Sequence, residues 1–139
     1  MKIYIASSWK NQHGVEMLTA FLREKGHEVI SWIDNSYGEK LYEGYESLED
    51  WCHSSNGDKA FDFDTNGALT CDLLIFYTYA GNDAHAELAL AFSKGTYVIG
   101  LRQKGYEVGL MSKMVNVWCD RYTEVLELVE KLQELKQTA

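Results

Sequence analysis

Short apolar runs bounded by polar clusters alternate along the chain with stretches in which apolar residues return every three or four positions. Lys2-Ile3-Tyr4-Ile5-Ala6 reads as a strand rich in β-branched and aromatic residues, followed by the polar loop Ser7-Ser8-Trp9-Lys10-Asn11. Val15, Leu18, Phe21 and Leu22 then recur at helical spacing, and Gly26 after Lys25 supplies a C-terminal stop. Glu28 to Ile33 is a second strand, so the β-α-β order predicts a right-handed parallel crossover. Residues 34 to 58 break the pattern, with Tyr37, Tyr42, Tyr45 and Trp51 set among seven acidic residues and punctuated by Gly38, Gly44 and Gly57. This stretch reads as a helical excursion with loops, either a solvated connection or an aromatic lid over a ligand. A helix over 59–71 leads to a third strand at Asp72 to Tyr77. Next come a helix from Asp83 to Lys94, a fourth strand at Thr96 to Leu101 and a short helix over Val108 to Met114. Val115 to Trp118 reads as a fifth strand. The amphipathic helix Tyr122 to Leu135 closes the chain, with Val125, Leu128, Val129 and Leu132 on one face.

Five strands alternating with helices predict an α/β fold: a doubly wound, flavodoxin- or Rossmann-like parallel sheet of order 2-1-3-4-5 with helices on both faces. Its switch point falls between strands one and three, where Ser7 to Lys10 and Tyr79 to Glu87 would line a crevice. A length of 139 residues with 46% hydrophobic and 24% charged residues fits one domain over residues 1–139. The formal charge of −8 opposes a nucleic-acid polymer as partner, because tracking phosphates takes clustered Lys and Arg. No apolar stretch is long enough for a membrane span and the amino terminus has no leader pattern, so the expectation is a cytoplasmic protein without membrane contact. Cys52, Cys71 and Cys119 lack the spacing of a disulfide framework or zinc site and are expected as buried free thiols. Cys52 and His53 are sequence neighbours whose side chains point apart, which argues against a thiol–imidazole pair.

Glu87 is the main chemical candidate. It follows the apolar run Leu73 to Tyr77 and the segment Gly81-Asn82-Asp83-Ala84-His85-Ala86, where a strand turns into a helix and ligands of such sheets collect. The helix end there is expected to keep Glu87 ionised and facing a cleft. A capping-box role would want Ser or Thr at position 84, which is Ala. Neither G-x-G-x-x-G nor G-x-x-x-x-G-K-[ST] occurs, so dinucleotide and triphosphate loops of the usual kind are absent. A receiver domain, which shares the strand order, is excluded as well. Ser7 and Ser8 stand where it needs an acidic pair, and Tyr77 to Tyr79 where it needs an acceptor Asp.

Ile3-Tyr4-Ile5-Ala6-Ser7-Ser8-Trp9, the acid Asp64 eight residues before Asp72, and Gly81-x-x-Ala84-His85-x-Glu87 with its small-residue helix together resemble the nucleoside 2-deoxyribosyltransferase family. The likeness is to its bacterial and phage branch, spans residues 2 to 118, and extends to a superfamily that includes deoxynucleoside-monophosphate N-glycosidases. What the resemblance implies is retaining cleavage or transfer at an N-glycosidic bond of a nucleoside or nucleoside monophosphate. Glu87 takes the place of the nucleophile, Asp64 that of the Asp turned toward sugar and base, and Tyr4 that of the strand-one Tyr beside the nucleophile. Ser8 and Lys10 fall where nucleotide-cleaving members bind phosphate; Ser7, Trp9, Gly81 and Asn82 complete the substrate-binding set. Ser112 resembles a serine contributed from a neighbouring subunit, so a homodimer or higher homo-oligomer is implied. No metal or organic cofactor is.

Departures from the pattern keep alternatives open. Gly81 stands where the transferases carry an Asp, and Asn82-Asp83 replaces Arg-Ser, removing a bidentate phosphate ligand. Asp83 is expected on the helix cap, pointing away from the nucleophile, and His85 in a structural hydrogen bond. Nucleoside and nucleotide therefore both stand as substrates. The rival readings are an NAD-type glycohydrolase and a non-catalytic nucleotide-binding or sensing protein of the same fold.

Overall fold

Five parallel strands pair in the order β2-β1-β3-β4-β5, as the alternation of elements predicts. They are β1 (Lys2–Ala6), β2 (Glu28–Ile30), β3 (Leu73–Tyr77), β4 (Tyr97–Leu101) and β5 (Val117–Cys119). The computed structural model describes residues 1–34 and 44–138; Tyr37, Gly38 and Tyr42 of the acidic aromatic segment lie outside the described residues. Central strands of a parallel sheet are covered on both faces and so need near-continuous apolar sequence. Ile3 to Ala6 and Leu73 to Phe76 meet that need with almost no exposure, and Val98 and Ile99 do so in β4. The edge strands β2 and β5 are only three residues long, which leaves little unpaired backbone for another chain to pair with.

Helices α1 (Gln12–Glu24), α2 (Leu48–Cys52), α3 (Ser55–Thr70), α4 (Asn82–Ser93) and α5 (Tyr122–Thr138) connect and cover the sheet. Helix α1 lays Val15, Leu18 and Leu22 into the core, and Gly26 beyond it takes φ +92°, a left-handed turn that the missing Cβ makes inexpensive. Val125 and Val129 of α5 are fully buried. The ends of the chain are tied to the sheet: the Met1 ammonium donates to Gln133, and Lys136 pairs with Asp72. Asp72 also accepts the Lys2 N–H, so it locks the entry of β3 and stands at the amino ends of the strands, away from the crevice. Among the described residues no helix is long and apolar enough to cross a membrane.

Several predicted boundaries shift, each for a tertiary reason. The second strand ends at Ile30 rather than Ile33 because Trp32 turns inward, its indole N–H donating to Ile5 O at 2.8 Å and its ring meeting Trp9 edge-on at 4.6 Å. Helix α3 starts at Ser55, earlier than predicted, because the Ser54 hydroxyl accepts the Gly57 N–H and caps it. Strand β5 begins two residues late, since Asn116 is occupied in bridging to Val98 through both its backbone N–H and its side-chain oxygen. The segment predicted as a short helix near residues 108–114 is a 3-10 turn over Leu110–Met114. Cys71 and Cys119 are buried as expected, whereas Cys52 is exposed because α2 buries none of its residues.

Candidate active site

The carboxyl ends of β1 and β3 carry the loops 7–11 and 78–81, and a polar network fastens them together. The Ser7 hydroxyl donates to Tyr77 O and accepts from the Asn11 side chain, which also donates to Tyr79 O. Gln103, beyond β4, donates its side-chain N–H to Asn11 Oδ1 and to Thr78 O, while its backbone N–H reaches the buried Thr78 hydroxyl. Three loops from three strands are thereby held as one rim. Asn11 and Gln103 carried no local signal, since their partnership joins residues 92 positions apart.

Behind this rim, Tyr4 and Glu87 meet. The Tyr4 side chain is wholly enclosed on the central strand, and its hydroxyl donates to Glu87 Oε2 at 2.6 Å. That length is typical of a charge-assisted bond to a carboxylate. Glu87 sits in the second turn of α4 and is only 7% exposed. The helix is built for close approach, with Ala84 and Ala91 buried beside Glu87 and Leu88.

Asp64 reaches the same place from α3. The helix can lie directly on the Tyr4 ring because residue 67, one turn after Asp64, is glycine. A Cβ there would stand 2.6 Å from Tyr4 Cδ2 and 2.8 Å from Cε2, far inside van der Waals contact. The Asp64 Oδ1 atom is buried and has no hydrogen-bond partner among the described residues. A buried carboxylate oxygen without a donor is costly, which is the expected condition of an oxygen awaiting a ligand's O–H or N–H.

These groups perturb one another's protonation. Burial pushes Glu87 up from the ordinary 4.5 to about 8, against the pull of the Tyr4 hydroxyl, and the charges of Asp64 and Asp83 push the same way. Asp64 is raised from 3.8 to about 6, by burial first and then by Asp83, with the Tyr4 hydroxyl partly offsetting both. Tyr4 itself is driven far above the usual tyrosine range by burial and by the two carboxylates, so it remains a neutral donor. The expectation that the helix end would keep Glu87 ionised is thus corrected: burial of a second-turn residue outweighs a dipole felt mainly in the first turn. Burial thus favours the protonated form of both carboxyls, Glu87 more than Asp64, and the Asp64 charge couples the two titrations.

Asp83 is exposed in the first turn of α4, four residues before Glu87, and its charge adds to the upward shift of both Glu87 and Asp64. The i, i+4 spacing was the signal that could have revealed it. His85 takes the structural role expected of it, donating from Nδ1 to Gly81 O at 2.7 Å and packing edge-on against Phe76.

The remaining candidates are distributed around the rim. The Ser8 hydroxyl accepts the Lys10 N–H and caps the 3-10 turn Trp9–Asn11, with the Lys10 side chain exposed. Trp9 is half-buried against Trp32. Gly81 is the N-cap of α4 and contributes no side-chain cap, and Asn82 is exposed beside it. Ser112 accepts the Gly109 N–H within its own 3-10 turn, so within one chain it serves local structure. Among the described residues no cluster of three or more His, Cys, Asp or Glu side chains is arranged to hold a metal ion.

The fold recurs in solved structures. A CMP N-glycosidase, BcmB, from Clostridium botulinum superposes with a TM-score of 0.60 at 19% identity, covering 94% of this chain and 99% of that one. The two chains share the fold. A 2-deoxyribosyltransferase from Bacillus psychrosaccharolyticus gives 0.67 at 21% identity over 90% of each chain. A conserved protein from Enterococcus faecalis V583 gives 0.69 at 16% identity over 94% of this chain and 98% of that one. The resemblance read from the sequence is therefore borne out in the architecture. No protein-family model and no curated protein matches the chain.

Proposed function

We propose that the protein cleaves or transfers the N-glycosidic bond of a nucleoside or nucleoside monophosphate, with Glu87 as nucleophile. The observation that carries this reading is the pairing of a buried, Tyr4-held Glu87 with a second, half-buried carboxyl, Asp64, whose enclosed Oδ1 has no hydrogen-bond partner among the described residues. The pair stands at the switch point of a fold that also serves a CMP N-glycosidase and a 2-deoxyribosyltransferase.

Retaining glycosyl transfer asks for one carboxylate and one carboxylic acid, and two carboxyls whose titrations are raised to different extents can supply both. The reactive state is the minor one, in which the proton has left Glu87, the tighter holder, and rests on Asp64. A Glu87 oxygen bonds to C1′ of the sugar, the C1′–N bond breaks with its electron pair going to the base nitrogen, and the Asp64 proton passes to the departing base. Water or a second base then attacks C1′, giving its proton to Asp64 and releasing Glu87 as carboxylate. Tyr4 holds one Glu87 oxygen, orienting the other for attack and steadying the negative charge as the glycosyl ester breaks down.

Incubation with a panel of ribo- and 2′-deoxyribonucleosides and their 5′-monophosphates, with free base followed by chromatography, tests this directly. The wild type releases base and Glu87→Ala does not. Equal release by the two proteins would remove Glu87 from the chemistry.

A further inference from the structure

We propose that Asn11 and Gln103 are positioning residues of this site, acting as one clasp that holds the two lips of the crevice together and presents a substrate with a preformed mouth. The inference rests on the N-glycosidic reading above for what the mouth receives, and it adds residues that take no part in the chemistry.

Backbone pairing stops short of the lips. The β1–β3 ladder ends at the pair Ala6 and Phe76, and the residues beyond it carry Ser8, Trp9 and Lys10 on one side and Gly81 and Asn82 on the other. Side chains take over where the ladder ends. Asn11 donates one amide hydrogen to Ser7 Oγ at 3.0 Å in its own loop and the other to Tyr79 O at 2.8 Å across the gap. Its Oδ1 accepts from Gln103 at 3.1 Å, and Gln103 donates its second amide hydrogen to Thr78 O at 2.7 Å. Each amide has one orientation that suits all its partners, so loss of either side chain leaves acceptors on the other lip without a donor.

Gln103 is braced from behind. It opens a tight turn that the Tyr106 N–H closes onto Gln103 O at 3.0 Å, with Gly105 at φ +87°, where a side chain would be strained. The Tyr106 ring then packs against Trp118 of β5 at 5.8 Å and edge-on against Tyr79 at 5.2 Å. The clasp is therefore fixed both to the far side of the sheet and to the lip it supports. A mouth ordered in advance spares a ligand the entropy of ordering it on arrival. None of these hydrogen bonds involves Tyr4, Asp64 or Glu87, so loss of the clasp is felt in binding and not in bond breaking.

The test uses Gln103→Met, which keeps the side chain's length and gives up both donors, together with Asn11→Ala and the double variant. For a nucleoside or monophosphate that the wild type cleaves, KM should rise about tenfold in each single variant while kcat stays within about threefold. The double variant should resemble the worse single one, in place of the roughly hundredfold rise of two independent sites. Amide exchange followed by NMR reads the clasp without turnover. The Asn11 N–H, bonded to Ser8 O, should exchange about tenfold faster in Gln103→Met, and the Gln103 N–H, bonded to Thr78 Oγ1, about tenfold faster in Asn11→Ala, with the amides of β1 and β3 as protected as before. An unchanged KM, a kcat that falls as far as KM rises, multiplying effects in the double variant, or exchange that quickens in the strands as well would overturn the proposal. Should no compound release base from the wild type, the glycosidic reading falls by itself. The clasp is then decided by exchange: loosening that crosses from each residue to the other sustains it, and loosening confined to the substituted loop ends it.

Discussion

Tyr4 and Asp64 act on Glu87 with opposite sign, and substitution separates them. The Tyr4 hydroxyl stabilises the carboxylate form of Glu87, so Tyr4→Phe removes a favourable contact of the charged state. A hydrogen bond to a charged group is worth about 1.5–3 kcal/mol, which moves the Glu87 titration upward by roughly one to two pH units. Because Glu87 titrates above Asp64, the falling limb of kcat/KM, which reports the free enzyme, should shift to higher pH by that amount. Asp64→Asn removes a negative charge that disfavours ionised Glu87, so the Glu87 titration should fall, on the order of one unit, while base release is largely lost. Carbon-13 NMR of carboxyl-labelled glutamate reads both shifts without needing turnover; shifts of the same sign in the two variants would contradict the arrangement. Of these residues, Tyr4, Asp64 and Glu87 were legible in the sequence because each sits in a short pattern that resembles a known family. Asp83 was not, since its influence depends on how deeply Glu87 is buried, and burial is a property of the packed molecule. The same holds for Ser7, whose hydroxyl is consumed by Tyr77 O and Asn11 once the two loops are brought together.

Helix α3 illustrates how an element delivers a functional group. Its seating on β1 depends on Gly67, whose backbone is ordinary helix and whose value lies in the space above the Tyr4 ring. Tyr4 is wholly enclosed and cannot retreat, so in Gly67→Ala the helix must lift instead. Overpacking of this kind costs about 1–3 kcal/mol, partly offset by the better helix propensity of Ala. Thermal unfolding should register the loss, and kcat/KM should fall further than stability alone explains, because Asp64 moves with the helix. The distinguishing readout is the Asp64 titration, which should return toward the ordinary aspartate range as water reaches it. An Asp64 that still titrates near 6 in the variant would mean that α3 does not depend on Gly67 for its position. Element identity was largely readable from periodicity, and element ends less so. Trp32 turning under β1, Ser54 capping α3 and Asn116 bridging to β4 each moved a boundary through a contact that local sequence does not announce.

For the molecule as a whole, a buried carboxyl at the site makes stability depend on pH in a definite direction. The folded-state pKa of Glu87 lies above its ordinary value, so the native protein holds the proton more tightly than the unfolded chain. Its contribution to stability is complete below about pH 4.5 and is lost as pH rises through about 8. Over that window the loss is on the order of a few kcal/mol. Glu87→Gln, which cannot ionise, should match the wild type near pH 5 and exceed it by a few kcal/mol near pH 9 in urea unfolding. A difference that stays constant with pH would show that Glu87 carries no raised pKa. What the chain's order of residues determined was the alternation of strands and helices, and with it the sheet order and the place of the switch point. Those follow from periodicities of two and 3.6 residues and from the apolar demand of a doubly covered sheet. Only the tertiary structure decided the protonation of Glu87, the reach of Asp83, the orphaned oxygen of Asp64 and the locking of three loops by Asn11 and Gln103. Each of these is set by distance and solvent exclusion between segments far apart in the chain, and neither quantity is written in local sequence.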